Sequence, residues 1–387
     1  MKKIKALSLF ANVGIAETYL NELGIEVVCA NEIDKQRVKF YNHLYPKVDV
    51  VTGDITQDEI KNIIIDKARK YNVDLIMATP PCQGMSSAGK QDKNDIRNTL
   101  ICNAIEIIKQ IRPKYVFLEN VPEQLITKIK YKNKDVLIPE YLKYELGEQY
   151  NFNDKFIVNA CDYGVPQLRE RAIILLVRKD INKIWHLPKK QSKIITLKEA
   201  IGDLPQLDPE ISDITKSEML KIFPDFEKKK QEGLKISKWF YPPKHVYRQV
   251  FSMMHTPSGK TAFDNIDIFK PKKKDGTFVK GFKNTYKRQC WGKPAFTVTM
   301  FNRTIGSQNN VHPGRYIGKD ENGYDLYSDA RVLTVYELMI VSSLPKDWNI
   351  PEWASEHFIR QVIGEGIPPL LVKKIMAELV KINNEKI

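Results

Sequence analysis

From Ile4 to about Arg178 the chain alternates short apolar runs with longer amphipathic segments, and this alternation restricts its fold more than any other feature. It is the pattern of strands joined by crossover helices in a parallel sheet. Strands are expected near Lys5 to Phe10, Glu26 to Glu32, Val48 to Val51, Leu75 to Ala78, Tyr115 to Glu119, Phe156 to Asn159 and Ala172 to Val177. The runs ALSLF, VVCA, LIMA, YVFL and AIILLV are apolar on both faces, as strands covered on both sides must be. Helices fill the intervals: one follows the turn at Gly14, one opens at Thr56 or Gln57, and one opens at Asn98.

After Arg178 the texture changes to prolines, aromatics and lysine clusters such as Lys228-Lys229-Lys230 and Lys272-Lys273-Lys274, which marks a second, smaller domain. Residues Lys183 to Cys290 hold 23 basic and 12 acidic side chains, a net +11 out of the chain's +14. Basic charge concentrated in one segment points to a polyanionic partner, because clustered Lys and Arg displace the counterions around nucleic acid phosphates. From Phe358 to Ile387 helical periodicity returns through Ile363, Leu370, Leu371, Ile375 and Leu379. The expected division is therefore 1–180 completed by 352–387, with 181–351 forming the other domain and a hinge.

The five cysteines form no C-x-x-C pair, which argues against a zinc site and a disulfide framework and fits a reducing cytoplasm. The apolar run after Lys2 and Lys3 meets Asn12 and Gly14 too early for a signal peptide, and no stretch is long enough to span a bilayer. A soluble, cytoplasmic protein without a membrane partner is expected.

Several strand ends carry residues suited to chemistry. The first strand runs into Phe10-Ala11-Asn12-Val13-Gly14, a tight turn at the carboxyl end of a parallel strand, where nucleotide-like cofactors bind. The second ends in Asn31-Glu32, a carboxylate placed to accept hydrogen bonds from ribose hydroxyls; the third ends in Gly53-Asp54-Ile55, suited to an adenine amino group. Each alone is commonly a cap or turn residue, but three successive strand ends outline an adenosine pocket.

Thr79-Pro80-Pro81-Cys82-Gln83-Gly84-Met85-Ser86-Ser87-Ala88-Gly89 directly follows the fourth strand. Two prolines stiffen the approach to Cys82, and the Gly- and Ser-rich stretch beyond is inexpensive to rearrange over a substrate. Glu119-Asn120-Val121 ends the fifth strand, so Glu119 stands beside Cys82 if the two strands are neighbours. A thiolate adding to a neutral ring needs the developing charge neutralised at a ring nitrogen, which a protonated carboxyl can do. In Gln167-Leu168-Arg169-Glu170-Arg171 the i, i+2 spacing points both guanidiniums the same way, suited to a carbonyl oxygen or phosphate.

In this order the segments resemble the motif series of the C5-cytosine DNA methyltransferases of bacterial restriction-modification type, from Leu7 to about Leu371. The motifs are Leu9 to Gly14, Pro80-Pro81-Cys82-Gln83, Glu119-Asn120-Val121, Gln167-x-Arg169-x-Arg171, Arg331-Val332-Leu333-Thr334 with Glu337, and Ile363 to Pro368. The resemblance implies an α/β, Rossmann-like fold with a mixed, mostly parallel sheet and a smaller DNA-recognition domain. It implies S-adenosylmethionine as cofactor, held by Phe10, Gly14, Glu32, Ile33, Asp54, Ile55, Pro80, Leu100 and Glu365, with Phe10 against the adenine, and no metal. Cys82 would attack carbon 6 of a flipped cytosine, Glu119 would hold N3 and the exocyclic amine, and Arg171, with Arg169 nearby, would hold O2. Gln83, Ser86, Arg97 and Arg303 would contact double-stranded DNA, and Trp291 to Thr299, Asn302-Arg303 and His312-Pro313 would lie in or beside the recognition region.

The chain departs from the family's usual pattern at Ser8, Asn12, Ile15 and Glu365, positions that bear on the cofactor. The implied partners are duplex DNA and a cognate restriction endonuclease, with the enzyme itself a monomer. A tRNA cytosine-5 methyltransferase and an inactive DNA-binding homologue are the alternatives. The long recognition segment favours DNA, since side chains read a B-form major groove and not the narrow A-form one.

Overall fold

The computed structural model describes residues 3–81 and 100–385. The first half contains β1 (Ile4–Leu9), β2 (Ile25–Glu32), α1 (Lys35–Leu44), β3 (Asp49–Thr52), α2 (Asp58–Tyr71), β4 (Leu75–Ala78), α3 (Leu100–Ile111) and β5 (Tyr115–Asn120). Then come β6 (Lys128–Tyr131), β7 (Lys134–Leu137), α4 (Ile138–Leu146), β8 (Tyr150–Phe152), β9 (Ile157–Asn159) and β10 (Glu170–Arg178). The remaining helices are α5 (Leu197–Ile201), α6 (Lys216–Ile222), α7 (Phe226–Ile236), α8 (Tyr247–Met254), α9 (Val335–Val341), α10 (Glu356–Glu365) and α11 (Pro369–Asn384).

Among the described residues, the main sheet runs β3-β2-β1-β4-β5-β10-β8, with β9 also paired to β10. Strands β1 to β5 are parallel, whereas β10 is antiparallel to β5, β8 and β9, so the sheet is mixed. The strand order reverses at β1, and the crevice beyond the carboxyl ends of β1 and β4 is where such sheets receive ligands. Every expected strand is present to within about two residues, and β8 and the β6–β7 hairpin add to them. That hairpin is mostly charged and polar, and it turns through Lys132 and Asn133, both at positive φ, as a tight two-residue hairpin requires.

The helix expected after Gly14 is not formed. Residues 11–24 instead make successive short turns, with Gly14 N–H bonded to Ala11 O at 2.9 Å and Leu20 N–H to Glu17 O at 3.0 Å. Within this segment Ser8 Oγ donates to Glu17 Oε1, which holds the Glu17 side chain in the interior. Helix α2 opens after Gln57 as expected, with acids in its first turn and bases in its last, matching the helix dipole. The opening expected at Asn98 lies outside the described residues, and α3 is described from Leu100.

Alternate strand residues feed opposite faces of the sheet. Leu7, Leu9, Ile76, Val116 and Leu118 pack with Ile64, Ile65, Ile101, Ile105 and Ile108 of α2 and α3. Ile4, Ala6, Leu75, Met77, Phe117 and Leu175 pack with Leu371, Ile375 and Leu379 of α11 and with Trp185. The C-terminal helix thus supplies the second covering layer. A separate core joins Ile211, Met219, Phe226, Val250, Met253, Tyr286, Ile305, Val311 and Val332 in the second lobe. A bridging core joins Val13, Ile15 and Phe40 to Leu197, Ile201, Val298, Leu338, Trp348, Phe358 and Ile363, so α5, α9 and α10 attach to the first lobe.

Between the lobes, fully buried Arg331 donates to Glu337 at 2.7 and 3.0 Å, to Asp329 Oδ1 at 2.8 Å and to Leu207 O at 2.9 Å. Glu337 also closes a capping box with Thr334 at the start of α9. Arg331 is therefore a structural joint. No helix among the described residues is long and apolar enough to cross a membrane.

Candidate active site

A cavity of about 770 Å³ opens at the carboxyl ends of β1 to β5. Its walls include Phe10 and Asn12 after β1, Glu32 and Ile33 after β2, Asp54 and Ile55 after β3, Pro80 and Pro81 after β4, Glu119 and Asn120 of β5, and Leu100 of α3. Arg169 and Arg171, the loop Phe296 to Met300, Gln308, Asn309 and Gly364 to Ile367 complete it.

The β1 turn is built on residues at positive φ: Phe10 at 58°, Asn12 at 50° and Gly14 at 83°. Asn12 N–H donates to Glu32 Oε2 at 2.8 Å, and Ile33 and Asp34 N–H donate to Oε1 at 3.0 Å each, so the carboxylate is fixed by three backbone donors. Gly14, expected at the cofactor, lies outside the cavity wall. A Cβ there would strike the Tyr45 and Tyr41 rings, and Tyr45 Oη donates to Gly14 O at 2.7 Å, so Gly14 shapes the turn from behind. Asp54 Oδ1 accepts from Thr56 N–H and Oγ, both at 2.9 Å, which fixes the β3 end.

Asn12 Nδ2 approaches Glu365 Oε2 at 3.4 Å, and Arg37 Nη2 pairs with the same oxygen at 2.7 Å. Gln361 Nε2 donates to Glu365 Oε1 at 3.2 Å. Burial pushes the Glu365 carboxyl upward while Arg37 pulls it back. Ile15 also packs directly against Gly366, so Asn12, Ile15 and Glu365, three of the departures from the usual pattern, meet at one wall of the cavity.

Strands β4 and β5 are neighbours, in register Ala78 to Leu118, and Asn120 Nδ2 donates to Pro80 O at 3.1 Å. That bond ties the end of β5 to the segment leading into Cys82. Glu119 is buried on the wall, with Arg171 Nε 2.8 Å from its Oε1. Burial raises the Glu119 carboxyl above its ordinary range, with Arg171 and then Arg169 acting in the opposite sense.

The two arginines diverge in role. The Arg169 guanidinium donates to Val298 O at 2.8 Å, Gly364 O at 2.9 Å and Glu365 O at 3.2 Å, joining β10 to both the 298 loop and α10. Arg171 pairs with Glu119. Both line the cavity on either side of exposed Glu170, in keeping with the i, i+2 spacing, while the orientation of Arg169 is set by the carbonyls it bonds.

Cys82, Gln83, Ser86 and Arg97 lie outside the described residues. Arg303 is exposed in the loop after Met300 and does not line the cavity, Asn302 is buried against Arg360, and His312 is buried beside Trp291. Sequence reasoning missed Arg37, Gln308 and Asn309; an arginine in the first turn of the helix after Glu32 was the available clue to the first. No group of three or more His, Cys, Asp or Glu that could hold a metal is gathered among the described residues.

A model of the C-5 cytosine-specific DNA methylases matches residues 4–381. The chain belongs to this family. It is 42% identical over 387 residues to the Type II methyltransferase M1.HgaI of Avibacterium volantium, covering 99% of each chain. It is 27% identical to M.XorII of Xanthomonas oryzae pv. oryzae, over 98% of this chain and 85% of that one. The fold resembles a Spodoptera frugiperda DNMT2 variant, with a TM-score of 0.58 at 18% identity over 99% of this chain and 100% of that one. It also resembles S. pombe Dnmt2, with a TM-score of 0.57 at 15% identity over 99% and 100%.

This methylase transfers a methyl group from S-adenosylmethionine to carbon 5 of cytosine in DNA. The cavity fits that donor: apolar walls from Phe10, Ile33, Ile55 and Leu100 alternate with the fixed Glu32 and Asp54 carboxylates. Asn12 Oδ1 is buried on the wall without a hydrogen-bond partner, an acceptor that a bound donor group would satisfy.

Proposed function

We propose that Cys82 is the nucleophile and Glu119 the proton donor of this methyl transfer, with Arg171 orienting Glu119 and the cytosine O2. The observation that carries the reading is Glu119, buried on the cavity wall and linked through Asn120 to Pro80, two residues before Cys82. Duplex stacking hides the C5–C6 face, so the cytosine must leave the helix and enter the cavity. The Cys82 thiolate bonds to C6 while Glu119 gives N3 a proton; C5 becomes electron-rich and takes the methyl. Loss of the C5 proton, expulsion of the thiolate and return of the N3 proton to Glu119 then restore the aromatic ring. S-adenosylmethionine, when bound, supplies the electrophilic methyl.

Two facts support Cys82 over the other thiols. Cys29, Cys102 and Cys161 are raised above the ordinary thiol range chiefly by burial, Cys29 to about 12, which makes them poor nucleophiles. None of these lines the cavity, nor does Cys290.

For the cofactor we assign Phe10 to the adenine, Glu32 to the ribose and Asp54 to the adenine amine, with Ile33, Ile55, Pro80, Leu100 and Glu365 around them. For DNA we assign Gln83, Ser86, Arg97 and Arg303. Recognition belongs to the lobe whose core runs from Ile211 to Val332, inside the 181–351 segment and coincident with most of the basic excess. The enzyme acts as a cytoplasmic monomer paired with a restriction endonuclease, as the Type II relatives suggest.

The test is a duplex with 5-fluorocytosine at the methylation site, mapped first by bisulfite sequencing. The wild type should form a covalent adduct through Cys82, and Cys82→Ala should bind without trapping or turnover. Methyl transfer by the alanine variant would overturn the assignment, and preferential transfer to tRNA would redirect the substrate.

A further inference from the structure

We propose that Phe301 is the wedge that enters the duplex and fills the space vacated by the flipped cytosine; this rests on the cavity being the cytosine pocket. Phe301 is 68% exposed and immediately follows Met300, which lines that cavity. Single exposed rings are common on protein surfaces; what marks this one is its place, directly after a residue of the cavity wall and on a segment fastened on both sides.

The ring is held there by its backbone. On the N-terminal side, Arg169 Nη1 donates to Val298 O at 2.8 Å and Val298 N–H donates to Gln167 Oε1 at 3.2 Å. Thr299 and Met300 lie so close to Gly364 that a Cβ there would collide with their backbone. On the C-terminal side, buried Asn302 bonds Thr299 O at 2.7 Å and Arg360 O at 3.0 Å, and Arg360 Nη1 returns a bond to Asn302 Oδ1 at 3.2 Å. Asn310 Nδ2 also fixes Phe301 O at 3.1 Å.

A ring on a loop fastened from both sides cannot fold inward to escape water, and it meets the duplex without further ordering cost. The partner that matches is the base stack next to the extruded cytosine. A phenyl ring has the two flat faces needed to lie between base pairs, apolar side chains are used in this way at kinked steps, and exposed Arg303 lies two residues away for the backbone.

The experiment compares the wild type, Phe301→Ala and Phe301→Trp on two duplexes carrying the mapped site. In one the target position is 2-aminopurine paired with thymine; in the other it faces an abasic position, so no pairing is lost on flipping and extrusion costs less. The wild type should raise 2-aminopurine fluorescence on binding. Phe301→Ala should lose that signal and bind the paired duplex about tenfold more weakly, with a clearly smaller loss on the abasic one, and Phe301→Trp should restore both. Equal losses on both duplexes would mean a plain backbone contact, and no loss would mean no contact; either overturns the wedge. Unchanged melting temperature and S-adenosylmethionine binding in Phe301→Ala exclude misfolding. The 5-fluorocytosine trap separates the two readings: a wild type that fails to trap sinks the cytosine pocket itself, whereas trapping with Phe301→Ala indistinguishable from wild type sinks only the wedge.

Discussion

Ser8 Oγ donates a hydrogen bond of 2.5 Å to Glu17 Oε1 at the root of the cofactor turn, inside a pocket where Glu17 Oε2 is buried without a partner. Burial raises the Glu17 carboxyl from 4.5 to about 7, against the lowering effect of the Ser8 bond. The folded protein therefore holds this proton more tightly than the unfolded chain. Stability should be greatest with Glu17 neutral, fall as pH rises from about 4.5 to 7, and level off above, a span of about 3 kcal/mol. Glu17→Gln should match the wild type near pH 4.5 and melt at higher temperature at pH 8. A melting difference that does not change with pH would refute this.

Glu119→Gln should lower kcat by roughly 10² to 10⁴, because an amide cannot protonate N3. With Glu119 acting as an acid above its usual range, activity should decline as pH rises through that raised value. Arg171 pulls the carboxyl down, so Arg171→Leu should shift the alkaline limb upward while lowering kcat. Single-turnover rates across pH measure both effects.

The Arg37 to Glu365 pair spans the cavity rim with both side chains about one-fifth exposed. Arg37→Ala should weaken S-adenosylmethionine binding by about 1 kcal/mol, roughly fivefold in Kd. Adding Glu365→Gln should cost little more, since the two changes remove one interaction. Calorimetric titration of both single variants and the double variant gives the coupling, and simple additivity would argue against it.

Arg331→Met should destabilise the protein by about 3 to 5 kcal/mol, because it strands Asp329 and Glu337 as buried charges. Adding Asp329→Asn and Glu337→Gln should recover much of that loss. Urea unfolding midpoints provide the comparison.

The strands were legible because each is an apolar run bounded by turn residues, and the carboxylates at Glu32, Asp54 and Glu119 were legible because strand ends in a parallel sheet share one edge. The juxtaposition of Glu119 with the Pro80 segment followed once β4 and β5 proved adjacent. The β6–β7 hairpin was hidden because each strand is only four residues long and the pair is rich in lysine, although Lys128-Ile129-Lys130-Tyr131 does alternate. The direction of Arg169 was hidden because it depends on carbonyls of Val298 and Gly364, contributed by parts of the chain more than a hundred residues away. Arg37 and the 296–300 wall share that difficulty: what they face is decided by packing between lobes. After Gly14 the chain makes successive turns instead of the expected helix, a local outcome that no residue pattern signalled.

The cavity draws its walls from Phe10 and Asn12 at one end of the polypeptide and from Gly364 to Ile367 near the other. During synthesis, the parallel strands emerge early, but the pocket cannot close until that late segment has left the ribosome and α11 has covered the sheet. A nascent chain therefore carries most of its donor-binding strand ends and its second-lobe core before the pocket is complete, and methyl transfer waits on the segment that forms α10.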